Sequence, residues 1–62
     1  MERIGFTSEL EARRCVAFLN NVYQVGSCIV SSGSKDKAKC FLEVPERWAE
    51  EVYLNFKKYI VS

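Results

Sequence analysis

The sequence predicts an α+β fold, a two-layer split βαβ sandwich with the element order β-α-β-β-α. The hydrophobic period changes from two to about 3.6 at Pro45, which is typical of a strand that runs into a helix. A polar, glycine-containing stretch at residues 31–36 separates two strand-like runs and predicts a hairpin loop. The hairpin places the third strand between the other two, and both helices are expected on one face of the three-stranded sheet.

A short first strand is predicted at residues 3–6. Ile4 and Phe6 alternate with Arg3 and Gly5, so the two pairs point to opposite faces of the sheet. This strand is expected to form an unprotected edge, because a full ferredoxin-like arrangement would add a fourth strand there.

A first helix is predicted to begin after Ser8. Ser8 and Glu11 match a capping box, in which each side chain bonds a free amide of the other residue. At about 100° per residue, one side of the helix is apolar and the other is mostly polar. The expected core residues are Ala12, Cys15, Val16 and Leu19, and the expected outer residues are Leu10, Arg13, Arg14 and Ala17. Asn20 and Asn21 tolerate the left-handed conformation, so the helix is expected to end there.

The second strand is predicted at residues 22–31, with Gly26 marking a bulge or a close backbone approach. The expected hairpin pairs are Ile29 with Ala38, Val25 with Leu42 and Tyr23 with Val44. A one-residue offset would set Cys28 opposite Cys40 and allow a disulfide, although a reducing cytosol disfavours it.

The third strand covers residues 38–44, and its even-numbered residues are apolar. Its odd-numbered residues Lys39, Phe41 and Glu43 are expected on a sheet face that neither helix covers. Pro45 suits the first turn of the second helix, whose apolar positions continue to Ile60.

The amino-acid composition limits the kinds of partner that can be expected. The 62 residues are 48% hydrophobic and 27% charged, as expected for a single folded domain over residues 1–62. Nine basic residues face eight acidic ones, so no long-range field favours a polyanion. No apolar run approaches the roughly 20 residues that span a bilayer, and the N-terminus does not resemble a signal peptide, so a cytoplasmic protein without membrane contact is expected.

Catalysis is not expected from the residue inventory. The chain has three cysteines and no histidine, so a zinc site would need a carboxylate or a ligand from a second chain. Cys15, Cys28 and Cys40 lie at positions interpreted as strand or mid-helix, where nothing lowers a thiol pKa. We therefore expect no catalytic residues, no metal and no cofactor.

Two segments carry a family resemblance. The opening F6-T-S-E-L-E-A and the closing F41-L-E-V-P-E-R-W-A-E-E-V resemble a family of small bacterial signal-transducing proteins. That family is ferredoxin-like and distantly similar to the PII and ACT regulators. The resemblance implies no catalytic residues, so none is carried over to this chain.

A partner-binding surface is predicted on the uncovered sheet face and the edge of the first strand. Phe41 is the expected anchor, Lys39 and Glu43 form its rim, and Gly5 allows close approach. Leu10 and Arg14, on the outer side of the first helix, are further candidates for contact with a partner. The predicted function is a small regulator or inhibitor, bacterial or phage-encoded, that binds another protein or a second copy of itself.

The alternative is a nucleic-acid or small-anion site. Lys35, Lys37 and Lys39 alternate along the loop and third strand, so they could form a basic stripe beside Phe41. The loop at residues 31–35 could also hold a phosphate group through Lys35, although it lacks the P-loop pattern. The near-balanced charge does not favour a nucleic-acid partner.

Overall fold

A computed structural model describes residues 1–35 and 37–61 and has the predicted element order. The elements are β1 (Glu2–Phe6), α1 (Glu9–Tyr23), β2 (Ile29–Lys35), β3 (Ala38–Val44) and α2 (Glu46–Phe56), followed by a 3-10 turn (Lys57–Tyr59). The sheet order is β1-β3-β2, with β3 antiparallel to both neighbours. The α+β class and the central position of the third strand are confirmed.

The core lies between the sheet and the two helices. Every second residue of β3 is buried, as its hydrophobic period predicts. The buried apolar side chains are Ile4 and Phe6 from β1, Ala38, Cys40, Leu42 and Val44 from β3, Ala12, Cys15 and Leu19 from α1, Ala49 and Val52 from α2, and Val25 between α1 and β2. Burial of each large apolar side chain stabilises the fold by about 1.5–3 kcal/mol. The expected core of α1 is confirmed, and Val16 packs against it while half-buried.

Aromatic rings connect the two helices. Phe18 of α1 lies 5.9 Å from Phe56, between ring centroids, and Tyr23 lies 4.8 Å from Trp48. Because the later residue of α1 meets the earlier residue of α2, the helices run antiparallel. The Tyr23 hydroxyl also donates a 3.2 Å hydrogen bond to Glu51. Neither helix in the described part of the chain is long and apolar enough to cross a membrane.

The end of α1 lies beyond the predicted position. The helix continues past Asn20 and Asn21 to Tyr23, and Gln24 adopts the left-handed conformation with φ of 58°. The Val25 amide donates to the Leu19 carbonyl at 3.2 Å, which satisfies one of the last helical carbonyls. The extra turn brings Tyr23 to Trp48, a tertiary contact that outweighs the local preference of the asparagines.

The capping-box prediction is wrong. Ser8 occupies the N-cap with extended backbone angles, but among the described residues its side chain makes no capping hydrogen bond. Glu11 instead accepts a 3.2 Å hydrogen bond from Arg14, one turn along the helix. A cationic partner three residues away competes directly with the backbone amide for this carboxylate.

The predicted register of β2 is also wrong. Ile29 lies opposite Glu43 rather than Ala38, a shift of five residues. Residues 22–26, the first half of the predicted strand, belong to α1 and to the segment that follows it. Residues 31–35, which were predicted to be loop, are part of β2. The observed register sets Val30 opposite Leu42, which keeps apolar residues on the core side.

The alternative register with a disulfide is wrong for the same reason. Ser32, not Cys28, lies opposite Cys40, and Cys28 precedes the strand. All three cysteines are free thiols.

The C-terminal residues 59–61, here called the tail, correct two further predictions. The helix ends at Phe56 rather than continuing to Ile60, and Ile60 forms a β-bridge with Phe6. Thr7 donates to the Tyr59 carbonyl at 2.8 Å, and Val61 donates to the Gly5 carbonyl at 2.9 Å. The edge of β1 is therefore covered from Gly5 to Thr7, and β2 provides the other edge of the sheet.

The direction of the backbone groups follows from strand alternation. Because Gly5 directs its carbonyl to the tail, its partner Phe41 directs its backbone groups to β2. Ser31 therefore bonds to Phe41, and Val30 and Ser32 point their amides out of the sheet.

Amide hydrogen exchange should distinguish the edge at β1 from the edge at β2. We expect slow amide exchange at Thr7 and Val61, because both amides are bonded across the β1 edge, and fast exchange at Val30 and Ser32 on the β2 edge. Residue-resolved exchange measured by NMR checks this. Fast exchange at Thr7 and Val61, with protection at Val30 and Ser32, would contradict the assignment of the edges.

Candidate partner-binding surface

One face of the sheet points away from both helices, and no helix in residues 1–35 and 37–61 covers it. We call it the open face. Strand pairing sets its members side by side: Arg3 and Gly5 from β1, Lys39, Phe41 and Glu43 from β3, and Ile29 and Ser31 from β2. Alternation predicted this placement of the β1 and β3 residues, and it is confirmed.

Phe41 occupies the centre of the open face. Gly5 of β1 and Ser31 of β2 lie directly opposite it on the two neighbouring strands. The guanidinium carbon of Arg3 lies 4.2 Å from the centroid of its ring. A Cβ atom at Gly33 would lie 3.8 Å from Cε2 of Phe41, so one edge of the ring lies beside a glycine. These neighbours leave Phe41 half-buried.

The Arg3–Phe41 contact is a cation–π pair. At exposed sites such a pair contributes about 0.5–1 kcal/mol. It also orders a long side chain over an aromatic ring, so the arginine and the ring form a pre-arranged surface. Alternation along β1 placed Arg3 on the correct face, but the sequence did not predict its contact with Phe41. The two residues are diagonal neighbours, because Arg3 pairs with Glu43, two residues from Phe41 on β3.

Charged and apolar side chains surround this pair. Lys39 is exposed, and Glu43 is half-buried between its cross-strand neighbours Arg3 and Ile29. Ile29 is 52% exposed, which is unusual for a strand isoleucine. The open face therefore combines an apolar centre with charges of both signs at its rim.

The structure separates Leu10 and Arg14 from the open face. Both are exposed on α1, which packs on the opposite side of the sheet. Arg14 pairs with Glu11 at 3.2 Å, and Leu10 is 58% exposed. A partner seated on Phe41 would therefore not reach these two residues.

Gly5 does not serve a partner at the β1 edge. It is buried, and its carbonyl accepts the hydrogen bond from Val61. The tail of the same chain thus occupies the edge that the sequence predicted to be unprotected. Sequence reasoning missed this pairing because Tyr59 and Ile60 also fit the helical period of α2.

The predicted basic stripe is broken. Lys35 pairs with Ala38, a core residue, so its side chain leaves the strand on the side opposite to Lys39. Lys37 lies in the turn between β2 and β3 and is exposed. Arg3 lies over the Phe41 ring, so a nucleic-acid base that stacks on that face of the ring would have to displace it.

The three thiols are held in their protonated form. Burial, and to a lesser extent the nearby Cys28, raise the pKa of Cys15 from its ordinary 9.0 to about 12. Burial also raises the pKa of Cys28 and of Cys40. The described residues contain no group of three or more histidine, cysteine, aspartate or glutamate side chains placed to hold a metal ion. The open face offers groups for binding and no activated nucleophile.

No family model, curated protein or solved structure matches this chain. The resemblance to signal-transducing proteins therefore stays an expectation from two sequence segments.

We expect the free energy of unfolding to fall at alkaline pH because of the Cys15 thiol. Because its pKa is raised in the folded state, the folded protein holds the thiol proton more tightly than the unfolded chain. This stabilisation is complete below about pH 9 and is lost progressively as the pH rises toward about 12. Denaturant unfolding at about pH 8 and pH 10.5 should show a larger fall in the free energy of unfolding for wild type than for Cys15→Ala. Equal falls in the two proteins would show that Cys15 does not carry the effect.

Proposed function

We propose that this chain is a non-enzymatic protein-binding module that regulates its partner by occupying the partner's surface. The binding surface is the open face together with the outer edge of β2. The observation that carries the proposal is the Arg3–Phe41 pair, held with 4.2 Å between guanidinium carbon and ring centroid at the centre of the face opposite to the helices.

The residue types support a protein partner. Aromatic residues and arginine dominate the centres of protein interfaces, where a few side chains carry most of the binding energy. Here the neighbours of Phe41 are small, since Gly5, Ser31 and Gly33 surround it on the adjoining strands. A partner side chain can therefore contact the flank of the ring and the guanidinium together.

The edge of β2 adds a backbone component. Its residues Ile29 and Ser31 belong to the open face, so the face and the edge are continuous. Val30 and Ser32 direct their backbone groups outward, and an extended segment of a partner could bond to them as an additional strand. Main-chain hydrogen bonds would then supply affinity, and contacts on the open face would supply specificity.

Charge on the open face favours a partner with some acidic character. Arg3 and Lys39 are cationic and Glu43 is anionic, so the face has a small positive excess. A second copy of this chain joined edge to edge through β2 also satisfies the strand pairing, with two-fold symmetry. The oligomeric state separates these two kinds of partner.

The test begins with sedimentation over a wide range of concentration, followed by affinity capture from cells that encode this chain. Phe41→Ser is expected to weaken association with the captured protein, or with a second copy, by about thirtyfold, as loss of a central aromatic anchor requires. Its circular dichroism should stay that of a folded protein, since Phe41 lies outside the core.

Leu10→Ser is the matched control. It removes an exposed apolar side chain from α1, on the opposite side of the sheet, and should leave association unchanged. Full association by folded Phe41→Ser would contradict the proposed site. Capture of nucleic acid that weakens steeply with salt would instead support the alternative function.

A further inference from the structure

A concave surface lies on the helical side of the molecule, away from the open face. A groove with a volume of about 970 Å³ runs between α2 on one side and the start of β1 and the tail on the other. We call it the α2 groove. Phe41 and the other residues of the open face do not line it, so it is independent of the proposed function.

One end of the α2 groove is apolar. Leu54, Ile60 and Val61 line it, and Leu54 is 70% exposed, the largest exposed fraction among the chain's exposed large apolar side chains. The tail is held in place by its hydrogen bonds to β1, so Ile60 and Val61 form a fixed wall. This end suits one or two apolar side chains.

The other end is acidic. Glu46 and Glu50 line it from the first two turns of α2, and Glu2 lines it from β1. The Tyr53 hydroxyl donates a 3.0 Å hydrogen bond to Glu2, which fixes that carboxylate across the groove. Within the described residues, neither Glu46 nor Glu50 has a cationic side chain at ion-pair distance.

The helix alone does not explain these carboxylates. The positive end of the helix dipole favours Glu46 in the first turn, but the effect falls off within that turn. Glu46 and Glu50 are four residues apart, a spacing at which like charges repel weakly. A cationic group seated between them would remove that repulsion.

The shape indicates an elongated occupant. The lining of the groove extends from Glu46 along α2 to Lys57 at the start of the 3-10 turn, which corresponds to about 17 Å of helix rise. An extended chain covers this distance with about five residues. Lys57 lies at the apolar end, so the groove is negative only at the end near Glu46.

We propose that the α2 groove binds a short extended segment of a partner protein, with lysine or arginine over Glu46 and Glu50 and apolar side chains over Leu54 and Ile60. The chain would then have two binding surfaces with different chemistry. The open face offers an aromatic–arginine centre with a small positive excess, and the α2 groove offers an apolar end and an acidic end.

A fluorescent pentapeptide Lys-Arg-Gly-Leu-Leu tests the proposal on the full chain. Fluorescence anisotropy should show saturable binding with a dissociation constant below about 1 mM that weakens with added salt. NMR shifts should move at Ala49, Leu54 and Val61 and stay unchanged at Phe41. The peptides Glu-Glu-Gly-Leu-Leu and Lys-Arg-Gly-Ser-Ser should each bind more weakly, because each lacks one half of the complementarity.

Matched variants assign the binding to the groove. Glu46→Gln with Glu50→Gln should weaken the peptide about threefold to tenfold, whereas Glu43→Gln on the open face should not. Leu54→Ser should weaken it, and Leu10→Ser should not. Equal binding of the charge-reversed peptide, shifts confined to the open face, or no binding up to about 1 mM would overturn the proposal. The peptide test uses no variant of Phe41 and no captured partner, so its failure leaves the proposed function of the open face standing.

Discussion

The alternation of β3 is the constraint on which the rest of the structure depends. This strand lies between both other strands, and its buried residues Cys40, Leu42 and Val44 meet the helices. Because side chains alternate strictly along a strand, burial of these residues fixes Phe41 and Glu43 on the opposite face. The candidate binding surface is thus set by the same pattern that builds the core, and a one-residue slip of β3 would destroy both.

The two edges of the sheet differ in how their backbone groups are covered. The tail covers β1 through backbone hydrogen bonds at Gly5 and Thr7. On β2, a register irregularity between Ser32 and Lys35 and the exposed lysine itself are features that limit uncontrolled pairing at an edge. The edge of β2 is therefore not a flat template for aggregation.

Much of this architecture could be predicted from local pattern, and its limits have identifiable causes. The strand-to-helix change at Pro45 and the alternation of β3 gave the element order and the position of Phe41. The register of β2 could not be predicted, because Val22 and Tyr23 suit a strand locally but are drawn into α1 by the packing of Tyr23 on Trp48. A serine- and glycine-rich strand likewise has little intrinsic signal, and partner strands decide its conformation.

The same distinction between local and tertiary information applies to the sites. Arg3 could be assigned to the open face by alternation, but its contact with Phe41 required the pairing of β1 with β3. The α2 groove could not be predicted at all, since its apolar wall exists only because the helix ends at Phe56 and the tail returns to β1.

The most direct test of the account is solvent access to the two faces of the sheet in the dilute monomer. A soluble gadolinium chelate should strongly enhance proton relaxation at the Ile29 methyl groups, which are on the open face, and only weakly at the Leu42 methyl groups in the core. Equal protection of Ile29 and Leu42 would show that something already covers the open face and would contradict the proposed binding surface.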